Sequence, residues 1–223
     1  MNIKVIAICT YRDWGIKTSI NLQEIFPSIN FILIKSEDEF ITLEKENKLP
    51  KIIFCIGWSS IISSNLVREK TILGVHPSDL PEYSGGSPIQ NQIINGITNS
   101  KMTLFKISEE LDSGPYISKL PLSLEGHIKD IFKRMEYTST ILFRDFITSY
   151  PNNIFIDINR PSKCFKRIKP EDSELTMAMF EKLSLKEIFD LIRCREDPYP
   201  NCFLKDSSGK LIFKFCEFEK SSD

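Results

Sequence analysis

"KIIFCIGWSSIISSNLVREKTILGVH", residues 51 to 76, holds two short apolar runs separated by a segment of different period. "KIIFCIG" and "TILGVH" are too short for typical helices and too uniformly apolar for strands with one wet face. They read as parallel strands covered on both sides, with "SSIISSNLVREK" at helical spacing between them. Upstream, "IKVIAIC" (3–9) and "NFILIK" (30–35) are two more such runs, followed by "WGIKTSINLQEIF" and "SEDEFITLEKENK" at helical spacing. The second of these opens with Ser36 and Glu39, a capping box. This alternation predicts an α/β fold, a Rossmann-like, doubly wound and mostly parallel sheet with right-handed crossovers. Such sheets bind ligands at the carboxyl ends of their strands, and His76 closes the fourth.

Beyond His76 the chain reads as a loop rich in Pro, Ser and Gly, then a short helix in "SPIQNQIING" with Pro88 in its first turn. "MTLFKI" and "YISKLPLSL" are two further strands joined by the tight turn "SEELDSGP". A long helix is expected from about Ile128 to Tyr150. The remaining residues read as a basic segment, a helix near Leu183 to Arg193 and a hairpin turning at Asp206 to Gly209. We therefore expect a catalytic α/β domain over 1–150 and a small C-terminal extension, helix plus β-hairpin, over 151–223.

The totals suit a globular protein with a real core: 41% hydrophobic residues, 26% charged, sixteen Phe. No apolar run is long enough to cross a bilayer, and the N-terminus lacks the pattern of a signal peptide, so a cytoplasmic protein is expected. The net charge of −1 argues against general nucleic-acid binding. One basic segment, "RPSKCFKRIK" (160–169), reads either as a solvated edge or as a patch for an anionic ligand. Six Cys without a C-x-x-C pair and only two His predict no metal site.

His76 alone reads equally as a hydrogen-bonded structural residue or a catalytic one. Asp112, in the turn between the last two strands of the sheet, can supply the carboxylate that fixes an imidazole and favours its protonated form. It also reads as a turn-former bonded to its own backbone.

"HPSDLPEYSGGSPIQNQIING" (76–96) followed by "EELDSGPYI" (109–117) resembles the folate-dependent formyltransferase family, densely from about Ile52 to Ile117. The likeness returns more loosely in "KRIKPED" and "LIRCREDPYPNCF". It implies the formyltransferase fold and transfer of a formyl group from 10-formyltetrahydrofolate, a co-substrate, to an amine. His76 and Asp112 would be catalytic, His76 taking the amine's proton and helping stabilise the tetrahedral intermediate, Asp112 tuning His76. The family's pattern has an Asn two residues before the His, an oxyanion donor; here that residue is Gly74. We expect open space at Gly74 that admits a water or an amide from Gln90 or Asn91. The resemblance places folate against backbone groups of Ser60, Ile62 and Glu110, with Trp58 walling the pocket. Gly85 and Gly86 would allow close approach to the ligands, or serve the turn alone.

For the amine, the chain has too few residues after Asp112 and too local a basic patch for the tRNA-gripping domain of methionyl-tRNA formyltransferases. "CTYRDWGIKTS" lacks the phosphate loop of glycinamide ribonucleotide formyltransferases. The size resembles amino-sugar N-formyltransferases, which implies a sugar nucleotide as substrate partner, no membrane partner, and allows a homodimer. Arg12 would meet a pyrophosphate and Tyr11 or Trp14 stack a uracil, with Lys166 in a second anion site and Ser78 and Gln90 also facing substrate. Alternatively, "YRDW" caps the first helix through Asp13. A carrier-bound aminoacyl group, methionyl-tRNA and a non-catalytic folate or sugar-nucleotide binder remain the alternatives.

Overall fold

The computed structural model describes residues 3–159 and 164–221. Six strands form one sheet in the order β2-β1-β3-β4-β5-β6. They are β1 (Val5–Cys9), β2 (Asn30–Ile34), β3 (Ile52–Ile56), β4 (Thr71–His76), β5 (Asn99–Lys106) and β6 (Tyr116–Ser123). The first four are parallel, as the uniformly apolar runs predict, and β5 and β6 are antiparallel additions.

Successive strand residues feed opposite faces. Ile6, Ile8, Phe54 and Ile56 face a core shared with α1 (Asp13–Ile25) and α5 (Ile128–Ser149), where Phe54 stacks on Phe143 at 4.1 Å. Ala7, Cys9, Ile53, Cys55 and Ile72 face a second core with Phe40 of α2 (Glu37–Lys45) and Leu66 and Val67 of α3 (Ser64–Glu69). Both faces are covered, which is why no polar alternation appears in these strands.

The helix expected over "SSIISSNLVREK" is shorter than its apolar spacing suggested. Residues 57–63 are loop, and α3 begins only where Ser63 Oγ accepts the Leu66 N–H at 3.4 Å. Ile61 in that loop is 94% exposed. Ser36 caps α2 as expected, accepting from Glu39 N–H at 3.2 Å. By contrast, no side chain caps α1, whose N-cap residue is Arg12.

Past α4 (Pro88–Ile94), the direction of β5 matters most for function. Because β5 runs against β4, its end lies beside Ile72, where Ile107 N–H donates to the Ile72 carbonyl at 2.8 Å. The β5–β6 turn thus starts at the amino-terminal end of β4 and returns across the sheet face to reach His76. Asp112, in that turn, reaches His76 by this longer route.

After α5 the chain forms a 3₁₀ turn (Pro170–Ser173), α6 (Met177–Lys182), α7 (Leu185–Arg193) and the hairpin β7 (Cys202–Lys205) and β8 (Lys210–Phe213). Leu175, Ile188, Ile192 and Cys202 make a small core of their own. Arg193, 2% exposed, ties α7 to the main sheet by donating to the Leu124 and Gly126 carbonyls at 2.7 and 2.6 Å. Residues 160–163 of the basic segment lie outside the described residues.

Candidate active site

His76 ends β4, and the loop that follows is locked from within. The Ser78 amide donates to the His76 carbonyl at 2.9 Å, and its hydroxyl donates to the Glu82 carbonyl at 2.6 Å. The Thr103 hydroxyl of β5 donates to the Ser78 carbonyl at 2.6 Å. Ser78 is therefore fully buried and held by the loop, where the sequence reading had it facing substrate. The next residue, Asp79, pairs with Lys119 at 2.6 Å and Lys101 at 2.8 Å. Burial alone would raise its pKa, but the two ammonium groups outweigh that and hold it below the usual value.

This fixed loop carries the Tyr83 carbonyl to 2.9 Å from His76 Nε2. A carbonyl only accepts, so Nε2 bears the proton and Nδ1 of the neutral ring keeps its lone pair. Nδ1 faces Asp112 Oδ2 at 3.6 Å, too far for a hydrogen bond and close enough for charge. The same oxygen accepts from Gly85 N–H at 2.7 Å. Both side chains are nearly enclosed, 9% and 11% exposed. Asp112 adopts a positive φ of 50°, where Asp is among the few residues tolerated. Its carboxylate bonds a different loop and not its own turn, so turn formation does not account for the side chain.

Gly74 departs from expectation. It points to the same face as His76, two residues on, and lies opposite Phe105 in the β4–β5 register. A Cβ at this position would stand 3.0 Å from the Phe105 ring and 3.4 Å from Ile107 Cδ1. The space is filled by an aromatic ring and admits no water or polar donor. Of the two amides considered as replacements, Asn91 is committed to the Gly86 carbonyl at 2.8 Å. Gln90 keeps a buried Nε2 without an acceptor.

Around this centre, Trp58 packs between Tyr11 and Phe40, with ring centroids at 5.8 and 5.9 Å, and its buried Nε1 lacks an acceptor. Ser60 and Ile62 lie on the same loop, Ile62 packed on the second core. The Glu110 carbonyl accepts from the Ser108 and Ser113 hydroxyls at 2.9 and 3.0 Å. Tyr11 is 40% exposed and bonds Ser59 at 2.5 Å, with the Arg12 guanidinium 5.1 Å above its ring. Trp14 is not a stacking surface: at 7% exposure it belongs to the main core, because it lies on the inner face of α1. Gly86 admits this chain's own backbone, since a Cβ there would stand 2.4 Å from the Arg167 nitrogen. Lys166 is exposed, and its carbonyl accepts from Asn91 at 3.5 Å.

Sequence reasoning missed the Tyr83 carbonyl and Phe105. One acts through backbone and the other through strand register, and neither leaves a residue-type signal. Among the described residues, no group of three or more His, Cys, Asp or Glu is placed to hold a metal ion. No helix among them is long and apolar enough to cross a membrane.

A mixed sheet with an imidazole, a carboxylate and a fixed loop at the end of β4 defines an α/β protein with a nearly enclosed His–Asp pair at its sheet edge. Residues 35–135 match the family model described as formyl transferase. A solved methionyl-tRNA formyltransferase of Clostridium thermocellum is 30% identical, covering 97% of this chain and 94% of that one, with a TM-score of 0.84. The chain belongs to the formyl transferase family. Two more distant structures share the fold. A sugar N-formyltransferase of a Shewanella species is 17% identical over 97% of this chain and 99% of that one, TM-score 0.73. HypX of Aquifex aeolicus, in complex with tetrahydrofolic acid, is 15% identical over 90% of this chain and 35% of that one, TM-score 0.72. The chain spans 34%, 34% and 56% of the first three curated relatives it matches.

Proposed function

We propose that this protein transfers a formyl group from 10-formyltetrahydrofolate to the primary amine of a nucleotide-linked amino sugar. The observation that carries the reaction type is the pairing of His76 with Asp112. With Nε2 donating to the Tyr83 carbonyl, Nδ1 is the position that takes the amine's proton as the new C–N bond forms. Asp112, 3.6 Å away, favours the resulting imidazolium. Its bond to Gly85 N–H holds the carboxylate in place while the charge changes.

The folate co-substrate supplies the formyl carbon, and its C–N bond to the formyl group breaks. The folate nitrogen leaves as an amine and takes up one proton, equivalent to the one His76 took from the attacking amine, which returns the imidazole to neutral. The loops on either side of His76 suit a flat ligand with apolar faces and polar edges. Ile61 and Leu111 stand 94% and 68% exposed, and Trp58 Nε1 is a buried donor in want of an acceptor. Ser60, Ile62 and Glu110 belong to those two loops. Tyr11 and Arg12, at the end of β1, are the residues for the nucleotide, the ring for the base and the guanidinium for phosphate.

Methionyl-tRNA is the second reading, favoured by the 30% identity to the Clostridium thermocellum protein over nearly its full solved chain. The test is a mass assay with 10-formyltetrahydrofolate and UDP-, dTDP- and GDP-linked amino sugars beside charged methionyl-tRNA. A gain on one amino sugar only supports the first reading, and a gain on the tRNA only replaces it. His76→Asn should lower kcat about 100- to 10,000-fold on the accepted amine. Unchanged turnover in that variant removes His76 from the mechanism.

A further inference from the structure

A small cleft lies where α4 meets the turn after α7. Ser87, Gln90, Lys169, Ser173, Arg195 and Tyr199 line it. Two of these side chains are more than nine-tenths buried: Gln90, 4% exposed, whose amide stands against the Tyr199 hydroxyl, and Arg195, 6% exposed, whose Nε is a donor without an acceptor. The only bonds of the Arg195 guanidinium among the described residues leave from Nη1, to the Leu191 carbonyl at 3.1 Å and Cys202 Sγ at 3.8 Å.

A buried cation needs a counter-charge. Among the described residues no carboxylate forms a salt bridge with Arg195. Glu196 pairs with His127 at 2.6 Å, and Asp190 pairs with Arg193 at 2.6 Å and Lys186 at 2.6 Å. Burial raises the Tyr199 pKa, opposed by the Gln90 amide against its hydroxyl and by the charges of Arg12 and Arg167, and reinforced by Cys194. Lys169 adds an ammonium at the cleft, shared only with an exposed Glu171 at 3.8 Å. The space open to a water-sized guest is about 20 Å³, room for about one water or one ligand oxygen.

We infer that this cleft binds an anionic oxygen of a phosphoryl group, accepting from Arg195 Nε beside Gln90. The group is either part of the nucleotide substrate, in which case the inference rests on the function proposed above, or a free phosphate. A guanidinium N–H suits phosphate, whose oxygens accept charge-assisted bonds.

The experiment is isothermal titration of the full chain with inorganic phosphate, pyrophosphate and UDP, and with 5-formyltetrahydrofolate as a separate folate probe. Pyrophosphate or phosphate should bind, and Arg195→Gln should weaken it about tenfold or more, the worth of one charge-assisted bond. Gln90→Leu and the exposed Lys169→Met provide variants that do not depend on the Arg195 variant folding, and each should weaken the same ligand. UDP weakened in parallel assigns the oxygen to the nucleotide; phosphate alone weakened assigns a free ion. Equal affinity in wild type and all three variants, or no anion binding at all, leaves a water as the guest and overturns the inference. Folate binding unchanged in these variants keeps the result independent of the reaction proposed at His76, which the mass assay tests alone.

Discussion

Gly74 and Phe105 face each other across β4 and β5, and together they remove the polar donor that the family's pattern places beside the catalytic His. The ring lies where an Asn side chain would begin. Adding atoms to a filled core forces neighbours off their rotamers, at about 1–3 kcal/mol. Gly74→Asn should therefore destabilise the protein by about that amount in chemical denaturation, and Phe105→Leu in the same chain should recover part of the loss. A Gly74→Asn variant as stable as wild type would mean that Phe105 swings away freely and the site is plastic. In the reaction proposed above, the oxyanion that Asn would serve falls to His76, which carries N–H groups on both nitrogens once it has taken the amine's proton. His76 and Asp112 were legible in the sequence because their motifs name them. The filling of Gly74 was not, since it depends on which β5 residue lies opposite.

At the scale of elements, the loop after β4 is as fixed as the strand it leaves. Ser78, Thr103, Asp79, Lys101 and Lys119 join it to β5 and β6, so the Tyr83 carbonyl meets His76 with little freedom. Asp79 gives this a pH signature. Its pKa is depressed in the folded protein, so its contribution is present above the unfolded value near 3.8 and is lost as pH falls through the lower folded value. Asp79→Asn should thus be less stable than wild type at pH 6–7. That difference should shrink below about pH 4 in denaturation curves taken across the range. A difference constant with pH would show that the ion pairs do not hold the loop. The four parallel strands and the helices between them were readable from period alone. The start of α3 was not, because Ile61 and Ile62 continue a helical spacing that the cap at Ser63 interrupts.

For the whole molecule, we propose that residues 151–223 fold with the sheet as an extension and not as a separate unit. Arg193 is the test, a buried guanidinium bonded to Asp190 and to two carbonyls of the β6–α5 connection. Arg193→Met leaves Asp190 and those carbonyls short of a donor and should cost about 3–5 kcal/mol, as breaking buried ion pairs does. Tryptophan fluorescence from Trp14 and Trp58 should report that loss in a single transition shared with far-UV dichroism. Two separated transitions would show that the extension folds alone.

Period and composition by themselves determined the parallel sheet, its order of elements and the edge where His76 stands, because burial on both faces writes itself into every strand residue. The motif around His76 and Asp112 determined the family. Only the tertiary structure decided that β5 runs antiparallel and that Asp112 reaches His76 by crossing the sheet face. It also decided that Trp14 and Ser78 are packed inside and that Gln90 and Arg195 share a cleft. Those outcomes depend on strand direction, register and which face of a helix meets the core, and contacts between residues far apart in sequence leave no local pattern to read.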